Sequence, residues 1–221
     1  MFAPIVHPPE IVRHFFKQYT WKLSPEDIRE KVLYITVDDA PIPEMTPGTL
    51  EILKRYGAKA TFFCVGDNVG KYPELFCRVL EEGHSVGNHT FNHFDGFKTR
   101  TDAYLGNVAL ADPLINSDLF RPPYGRLRPK QIREIAKTRK IILWDVLTRD
   151  YDKKVSPEQC LENVVNFAEP GSIIVFHDNL KAKNNQRYAL EKTLEIYSKK
   201  GYVFKGLPFK QLNLKDNEPA D

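Results

Sequence analysis

The feature that most constrains this chain is an alternation repeated along its length. Short runs of β-branched and aromatic residues are separated by longer stretches with helical punctuation. The short runs lie at residues 32–37, 60–65, 85–86, 119–120, 141–146, 172–176 and 202–204. Several are apolar at successive positions, as strands covered on both faces are. Between them, Thr46-Pro47 reads as an N-cap followed by Pro at the first helical position, and Gly57 closes that helix. Residues 72–82 form a second helix ended by Gly83. Ser156-Pro157-Glu158 opens a third, with Cys160, Leu161, Val164, Val165 and Ala168 on one stripe and Gly171 beyond it. Residues 186–200 place Leu190, Leu194 and Tyr197 on one face before Gly201. Repeated β-then-α units imply a mainly parallel sheet, and about seven of them favour barrel-like closure over an open sheet.

The first ~30 residues fit this alternation less well. Residues 11–19 read as a short helix, with Trp21 packing it onto the barrel, and the polar tail after Lys210 reads as frayed. A chain of 221 residues suits one domain, 1–221, with a core over about 32–204, an N-terminal packing segment at 1–31 and a tail at 211–221. With 42% hydrophobic and 28% charged residues it is neither a disordered chain, a collagen-like fibre nor a disulfide scaffold. A net charge of +3 gives no case for nucleic acid or an anionic membrane. Cys64, Cys77 and Cys160 are odd in number and far apart, and they read as small buried hydrophobes. No apolar run approaches the ~18 residues of a membrane span. Residues 1–10 hold three prolines and one acid, with no basic stretch leading into an apolar one. The expectation is therefore no signal peptide and a cytoplasmic location.

The chemically unusual residues fall just after the predicted strands: Asp38-Asp39, His89 and His93, Arg121-Pro122-Pro123-Tyr124, Asp150, and His177-Asp178. In a parallel α/β architecture such positions gather at one face, where active sites form. His89 and His93 are spaced i, i+4, so a helical turn would put both imidazoles on one face, able to share a metal. That pair needs an acidic third ligand, and Asp38-Asp39 supplies the candidates. Adjacent carboxylates repel unless a cation or Arg compensates. Neighbours in a strand point to opposite faces, so both enter one site only if the strand stops there, and Ala40-Pro41 is a suitable stop. Asp plus two His with open positions is a hydrolytic metal site, in which the spare aspartate takes the proton of an attacking water.

Taken together, these motifs resemble the polysaccharide deacetylases, carbohydrate esterase family 4. The family's T-F-D-D-G-P appears as Thr36-Val37-Asp38-Asp39-Ala40-Pro41, and its H-[ST]-x-x-H as His89-Thr90-Phe91-Asn92-His93. R-x-P-Y appears as Arg121-Pro122-Pro123-Tyr124, and D-x-x-D-W is weakened to Leu147-Thr148-Arg149-Asp150-Tyr151. The last motif, an apolar run ending in His, is Ile173-Ile174-Val175-Phe176-His177. The resemblance covers residues 32–202 and implies a distorted, incompletely closed (β/α) barrel, TIM-barrel-like. It also implies metal-dependent removal of N-acetyl groups from amino sugars. By that resemblance Asp38 is the general base, and Asp39, His89 and His93 hold the metal. Arg121 pairs with and orients Asp38, and the Tyr124 backbone N–H helps hold the oxyanion. His177 protonates the leaving amine, and Asp150 holds and tunes His177. Asp-His-His fits Zn²⁺, and Co²⁺, Ni²⁺ or Fe²⁺ can occupy similar ligands.

Three positions depart from the family pattern. Ala40 stands for the usual Gly, and its methyl strains the chain only where φ is positive. Leu147 replaces the first aspartate of the fourth motif and receives no catalytic role, which leaves Asp150 as the partner of His177. Tyr151 replaces Trp, keeping an aromatic wall but adding a hydroxyl that needs a partner or water. Other polar residues receive plainer readings: His84 bonds locally, His7 and His14 belong to the N-terminal segment, Asp178 positions its loop, and residues 181–187 are a solvated loop. The expected partner is an acetylated glycan, peptidoglycan or a chitin-like oligomer. The competing readings are a hydrolase of a small non-sugar amide and a glycan-binding protein without catalysis.

Overall fold

The computed structural model describes residues 5–24 and 30–212 of the 221. In chain order the elements are α1 (Glu10–Phe15), β1 (Tyr19–Thr20), β2 (Val32–Ala40), α2 (Thr46–Arg55), β3 (Ala60–Cys64), α3 (Gly66–Lys71), α4 (Pro73–Glu81), β4 (Ser85–Asn88) and α5 (Thr101–Ile115). They continue with β5 (Leu119–Phe120), a 3₁₀ turn (Pro123–Gly125), α6 (Pro129–Ile135), β6 (Lys140–Ile142), β7 (Val146–Leu147), α7 (Pro157–Phe167), β8 (Ile173–His177), α8 (Lys183–Lys199) and β9 (Val203–Phe204). All named strand pairings are parallel, in the order β1-β6-β5-β4-β3-β2-β8-β7, with β9 paired to β2.

This is the distorted, incompletely closed barrel that the resemblance implies. β6 and β7 are consecutive in the chain yet stand toward opposite ends of the sheet path. Residues 140–147 therefore close the ring, pairing first with β5 and then with β8. The predicted strand at 141–146 breaks at Leu143-Trp144-Asp145, where the chain leaves one neighbour for the other. β1, unread in the sequence, lies along the far edge of β6.

Period-2 alternation decides what faces the barrel interior. On β2, Leu33, Ile35 and Val37 join the main apolar core between sheet and helices, together with Leu50, Leu53, Leu190 and Leu194. Tyr34, Thr36 and Asp38 take the other face. On β3, Ala60, Phe62 and Cys64 join that core, whereas Phe63 packs with Leu119, Ile142, Ile173 and Leu207. On β8, Ile174 and Phe176 pack outward, which turns Val175 and His177 the other way. Asp38 and His177 are direct register partners across β2 and β8.

Several local expectations change. β2 runs on through Ala40 rather than ending at Val37. The cap at α2 is Met45, while the Thr46 hydroxyl accepts a hydrogen bond from the Ile42 N–H. Val165 is 40% exposed, so the α7 stripe is narrower than its apolar spacing suggested. Cys64 and Cys160 are buried free thiols, but Cys77 is exposed. Residues 183–187 are the first turn of α8 rather than a loop, with Gln186 buried. The predicted N-terminal helix is α1 alone, and the Trp21 indole donates to the Phe16 carbonyl at 3.2 Å. Of the predicted frayed tail, residues 213–221 lie outside the described residues. Among the described residues no helix is long and apolar enough to cross a membrane.

Candidate active site and metal centre

Both aspartates enter the site, by a route other than the one the sequence suggested. The strand does not stop after them. The β2–β3 register pairs Asp38 with Phe63 and Ala40 with Cys64, so Asp39 is the extra residue of a bulge, at φ +75°. A bulge re-aims one side chain without ending the strand. Asp38 keeps its inward position, and Asp39 turns toward the histidines. Ala40 is absent from the residues of positive φ, so its methyl meets no backbone strain and packs in the core.

The histidine pair is likewise not on a helix. After β4 the chain forms a loop with Thr90 at φ +64° and His93 at φ +56°. Side chains of β4 and α5 hold it open. The Asn88 side-chain oxygen accepts from the Thr90 N–H at 2.8 Å, and that of Asn107 accepts from the N–H groups of Phe91 and Asn92 at 3.0 and 2.9 Å. The two imidazoles still face each other, with ring centres 5.0 Å apart.

Asp39, His89 and His93 each offer one ligand atom, and the three lie within 4.8 Å of one another. Asp39 Oδ1 stands 3.2 Å from His93 Nε2 and 3.8 Å from His89 Nε2. Ligands at ~2.0–2.1 Å around a tetrahedral ion are about 3.3 Å apart, so the donor set fits a Zn²⁺-like cation with little movement. The tautomer fits too. His89 Nδ1 donates to the Arg121 carbonyl at 2.8 Å, leaving the Nε2 lone pair free toward Asp39. Burial pushes the His89 pKa down to about 4, which keeps this ring neutral. Burial works against ionisation of Asp39, but the His93 hydrogen bond and the field of His177 outweigh it. Its carboxyl lies well below the usual range.

Behind Asp38 lies Arg121, a fully buried guanidinium. Its Nη1 donates to Asp38 Oδ1 at 2.7 Å and to Thr36 Oγ1 at 2.8 Å. Its Nη2 and Nε donate to the Leu143 and Ile142 carbonyls at 2.9 and 3.3 Å, and Phe63 lies under its plane at 4.1 Å. These partners replace the water that burial removed, as a buried cation requires. Asp150, also fully buried, uses both oxygens on one residue. Oδ1 accepts from His177 Nδ1 at 2.7 Å and Oδ2 from the His177 backbone N–H at 2.8 Å. Burial alone would lower the His177 pKa. Asp150 in contact, with Asp38 and Asp39 beyond it, instead raises it to about 9.

Tyr124 sits at φ +61° in the 3₁₀ turn after β5, its ring edge-on to His93 at 4.9 Å. The turn uses the N–H groups of Gly125 and Arg126 on the carbonyls of Pro122 and Pro123, and the Tyr124 N–H takes no part in those bonds. Gly125 must be glycine: its φ is +66°, and a Cβ there would meet the Trp144 ring at 2.7 Å.

The structure thus gathers every site residue named from the sequence, and adds residues the sequence reading passed over. Thr36 holds Arg121; Asn88 and Asn107 shape the histidine loop; Asn68 and Asn179 hold Asp39. Thr36 was legible, two positions before Asp38 on the same strand face. The asparagines carried no signal, because each contact joins residues far apart in the chain or within an irregular loop.

Residues 26–141, just over half of the chain, match the family model described as polysaccharide deacetylase. The chain belongs to the polysaccharide deacetylase family. Two peptidoglycan-N-acetylglucosamine deacetylases of Bacillus cereus are each 34% identical to it. The matches cover 79% and 84% of this chain, and 66% and 89% of the relatives. The crystal structure of the Bc1960 peptidoglycan N-acetylglucosamine deacetylase, in complex with 4-naphthalen-1-yl-N-oxidanyl-benzamide, superimposes with a TM-score of 0.79 at 31% identity. That match covers 86% of this chain and 91% of the other.

The family match ends before Asp150 and His177, so their pairing rests on the geometry above. Two departures from the polysaccharide deacetylase pattern acquire physical meaning. Leu147 is buried on β7, beside Val175, and its N–H donates to the Val6 carbonyl, so it packs the closing strand. Tyr151 stands edge-on to His177 at 4.6 Å, keeping an aromatic wall where the family has Trp.

Proposed function

We propose that this chain is a metal-dependent hydrolase that removes N-acetyl groups from amino sugars in a glycan, of peptidoglycan or chitin-oligomer type. One observation carries the reading. Asp38 and His177, a base and an acid each braced by a buried opposite charge, are ladder partners beside the Asp39-His89-His93 group. Amide hydrolysis needs such a pair, because water must lose a proton and the departing amine must gain one.

Asp39, His89 and His93 would hold the metal, with Zn²⁺ the best fit to the donor set. A divalent ion there supplies Lewis acidity toward a carbonyl oxygen and a water. Asp38 accepts the water's proton at a carboxylate oxygen, while Arg121 fixes the other. The Tyr124 N–H donates to the oxygen that becomes negative as the carbonyl is attacked. His177 carries its proton at Nε2, since Nδ1 is committed to Asp150, and delivers it to the amide nitrogen as the C–N bond breaks. Asp150 keeps the ring oriented and favours its charged form. Tyr124, 60% exposed and edge-on to His93, gives the rim an aromatic surface on which a sugar face can pack.

The test is acetate release from an N-acetylglucosamine oligomer, with and without a chelator. Release that stops with chelator and returns with Zn²⁺ supports the reading. A hydrolase of small amides would leave the oligomer intact but cleave a small N-acetyl amide, and a glycan-binding protein would bind the oligomer without release.

A further inference from the structure

Asp39 gives its two carboxylate oxygens to different partners. Oδ1 faces the imidazoles of His93 and His89. Oδ2 accepts a hydrogen bond from the side-chain amide of Asn179 at 2.7 Å. The orientation of that amide follows from its partners: an ionised carboxylate only accepts, so the NH₂ group faces Asp39, and Asn179 Oδ1 accepts at 3.1 Å from the Ala182 N–H, which it shares with the Asn179 carbonyl at 3.0 Å. The Asn68 amide in turn donates to the Asp39 backbone carbonyl at 2.9 Å. The bulged residue is therefore held at its backbone by α3 and at its side chain by the loop leading into α8.

We infer that Asn179 is a positioning residue of the metal centre, one that occupies Asp39 Oδ2 and so keeps Asp39 a one-oxygen ligand. The inference rests on the ligand assignment proposed above. A carboxylate with both oxygens free can bind a cation through one or both. Two-oxygen binding would fill a position that a hydrolytic site must keep open for water and the acyl group. Hydrogen bonds to ligand carboxylates commonly set metal affinity in this way. Asn179 lies two residues beyond His177, so the end of β8 and the loop after it carry the acid and the brace on the metal ligand.

The experiment uses metal-free protein and needs no substrate. Zn²⁺ affinity is measured by competition with a chromophoric chelator, and the visible spectrum is recorded after Co²⁺ loading, because four-coordinate Co²⁺ absorbs more strongly than six-coordinate. Asn179→Leu keeps much of the side-chain volume without the donor, and Asn179→Ala removes both. Lys181→Ala, an exposed neighbour, controls for change in the loop. For both Asn179 variants we expect Kd to rise about 10–100-fold and the Co²⁺ bands to weaken. Lys181→Ala should match wild type. Unchanged Kd and spectrum would overturn the inference. A weaker Kd with a wild-type Co²⁺ spectrum would overturn it as well, since Asn179 would then only pack the loop. Absence of metal binding by the wild-type chain would instead sink the ligand assignment. A metal-binding chain that releases no acetate would sink the proposed activity and leave this result intact.

Discussion

Asp38 and Asp39 are chain neighbours with different partners, and those partners suit the opposite tasks proposed for them. Asp38 faces one buried guanidinium, whereas Asp39 faces two imidazoles and an amide. Asp38→Asn preserves shape and removes basicity, so acetate release should fall by about 10²–10⁴-fold with metal content retained. Near-normal turnover would move the base elsewhere. His177 is tested by comparing leaving groups. An amine must be protonated as it departs, whereas a phenolate leaves unaided. His177→Ala should therefore lose about 10²–10⁴-fold on an N-acetyl amide and far less on an activated aryl acetate. Equal losses on both would remove the acid role. His84 lies apart from the site. Its Nδ1 accepts from the Ala60 N–H at 3.1 Å, a contact with the adjoining strand rather than a local one. Burial pushes its pKa down from 6.5 to about 4. The unfolded chain binds a proton there below about pH 6.5 and the folded chain does not, so stability is full above that pH and falls toward pH 4. The loss is at most ~3 kcal/mol. Denaturant unfolding at pH 5 and pH 7 should show a smaller difference for His84→Gln than for wild type. An equal difference would assign the pH dependence to other groups.

At the scale of elements, α2, α4, α7 and α8 were legible from their punctuation, whereas α5 was not, and neither was the short α6, although it opens on Pro129 with Gln131 three residues after Arg128. α7 opens with Ser156, whose hydroxyl accepts from the Gln159 N–H at 3.2 Å, while the Gln159 side chain returns to the Ser156 N–H at 2.9 Å. Ser156→Ala should cost ~1 kcal/mol in an unfolding titration. A change within experimental error would mean the cap contributes nothing. α5 is hard to read because both its faces are mixed: Asn107 and Asp112 are buried beside Tyr104, Val108, Ala111 and Ile115, while Leu110 and Leu114 are 55% and 39% exposed. Those buried polar residues are the ones that matter. Asn107 shapes the histidine loop, and Asp112 accepts from the Asn88 amide at 2.8 Å beside the loop's start and pairs with Arg139. A helix that serves a site with one face cannot present a clean apolar stripe there.

The whole molecule depends on how its ring is closed. Between β6 and β7 the chain must cross from one neighbour to the other, and the N-terminal segment covers that crossing. The Leu143 N–H donates to the Thr20 carbonyl at 2.9 Å, the Leu147 N–H to the Val6 carbonyl at 2.8 Å, and the Trp144 indole to the Ile5 carbonyl at 3.2 Å. Arg13 pairs with the fully buried Asp145, and Ser172 donates to the same carboxylate. His7 stacks on Phe167 at 4.8 Å and bonds the Asp145 carbonyl at 3.0 Å. Arg13→Ala leaves a buried carboxylate without its cation, and should cost about 3 kcal/mol in urea unfolding. A loss under about 1 kcal/mol would give the pair only the worth of a surface contact. The Leu143 carbonyl that anchors Arg121 lies in this crossing, so the same variant should lower kcat more than it raises KM.

The sequence by itself determined the parallel α/β alternation and the convergence of strand ends, and it singled out the carboxylates, histidines and arginine that the fold brings together. These are properties of local pattern, since periodicity, helix caps and residue chemistry are readable within a few positions of one another. Tertiary structure decided how those residues reach their places. The Asp39 bulge exists because β3 fixes a register that leaves one residue over. The open histidine loop exists because Asn88 and Asn107 supply the hydrogen bonds that a helical turn would have made internally. The brace on Asp39 comes from Asn179, 140 positions away. Such interactions depend on distances between elements, and no short-range pattern in a chain encodes those.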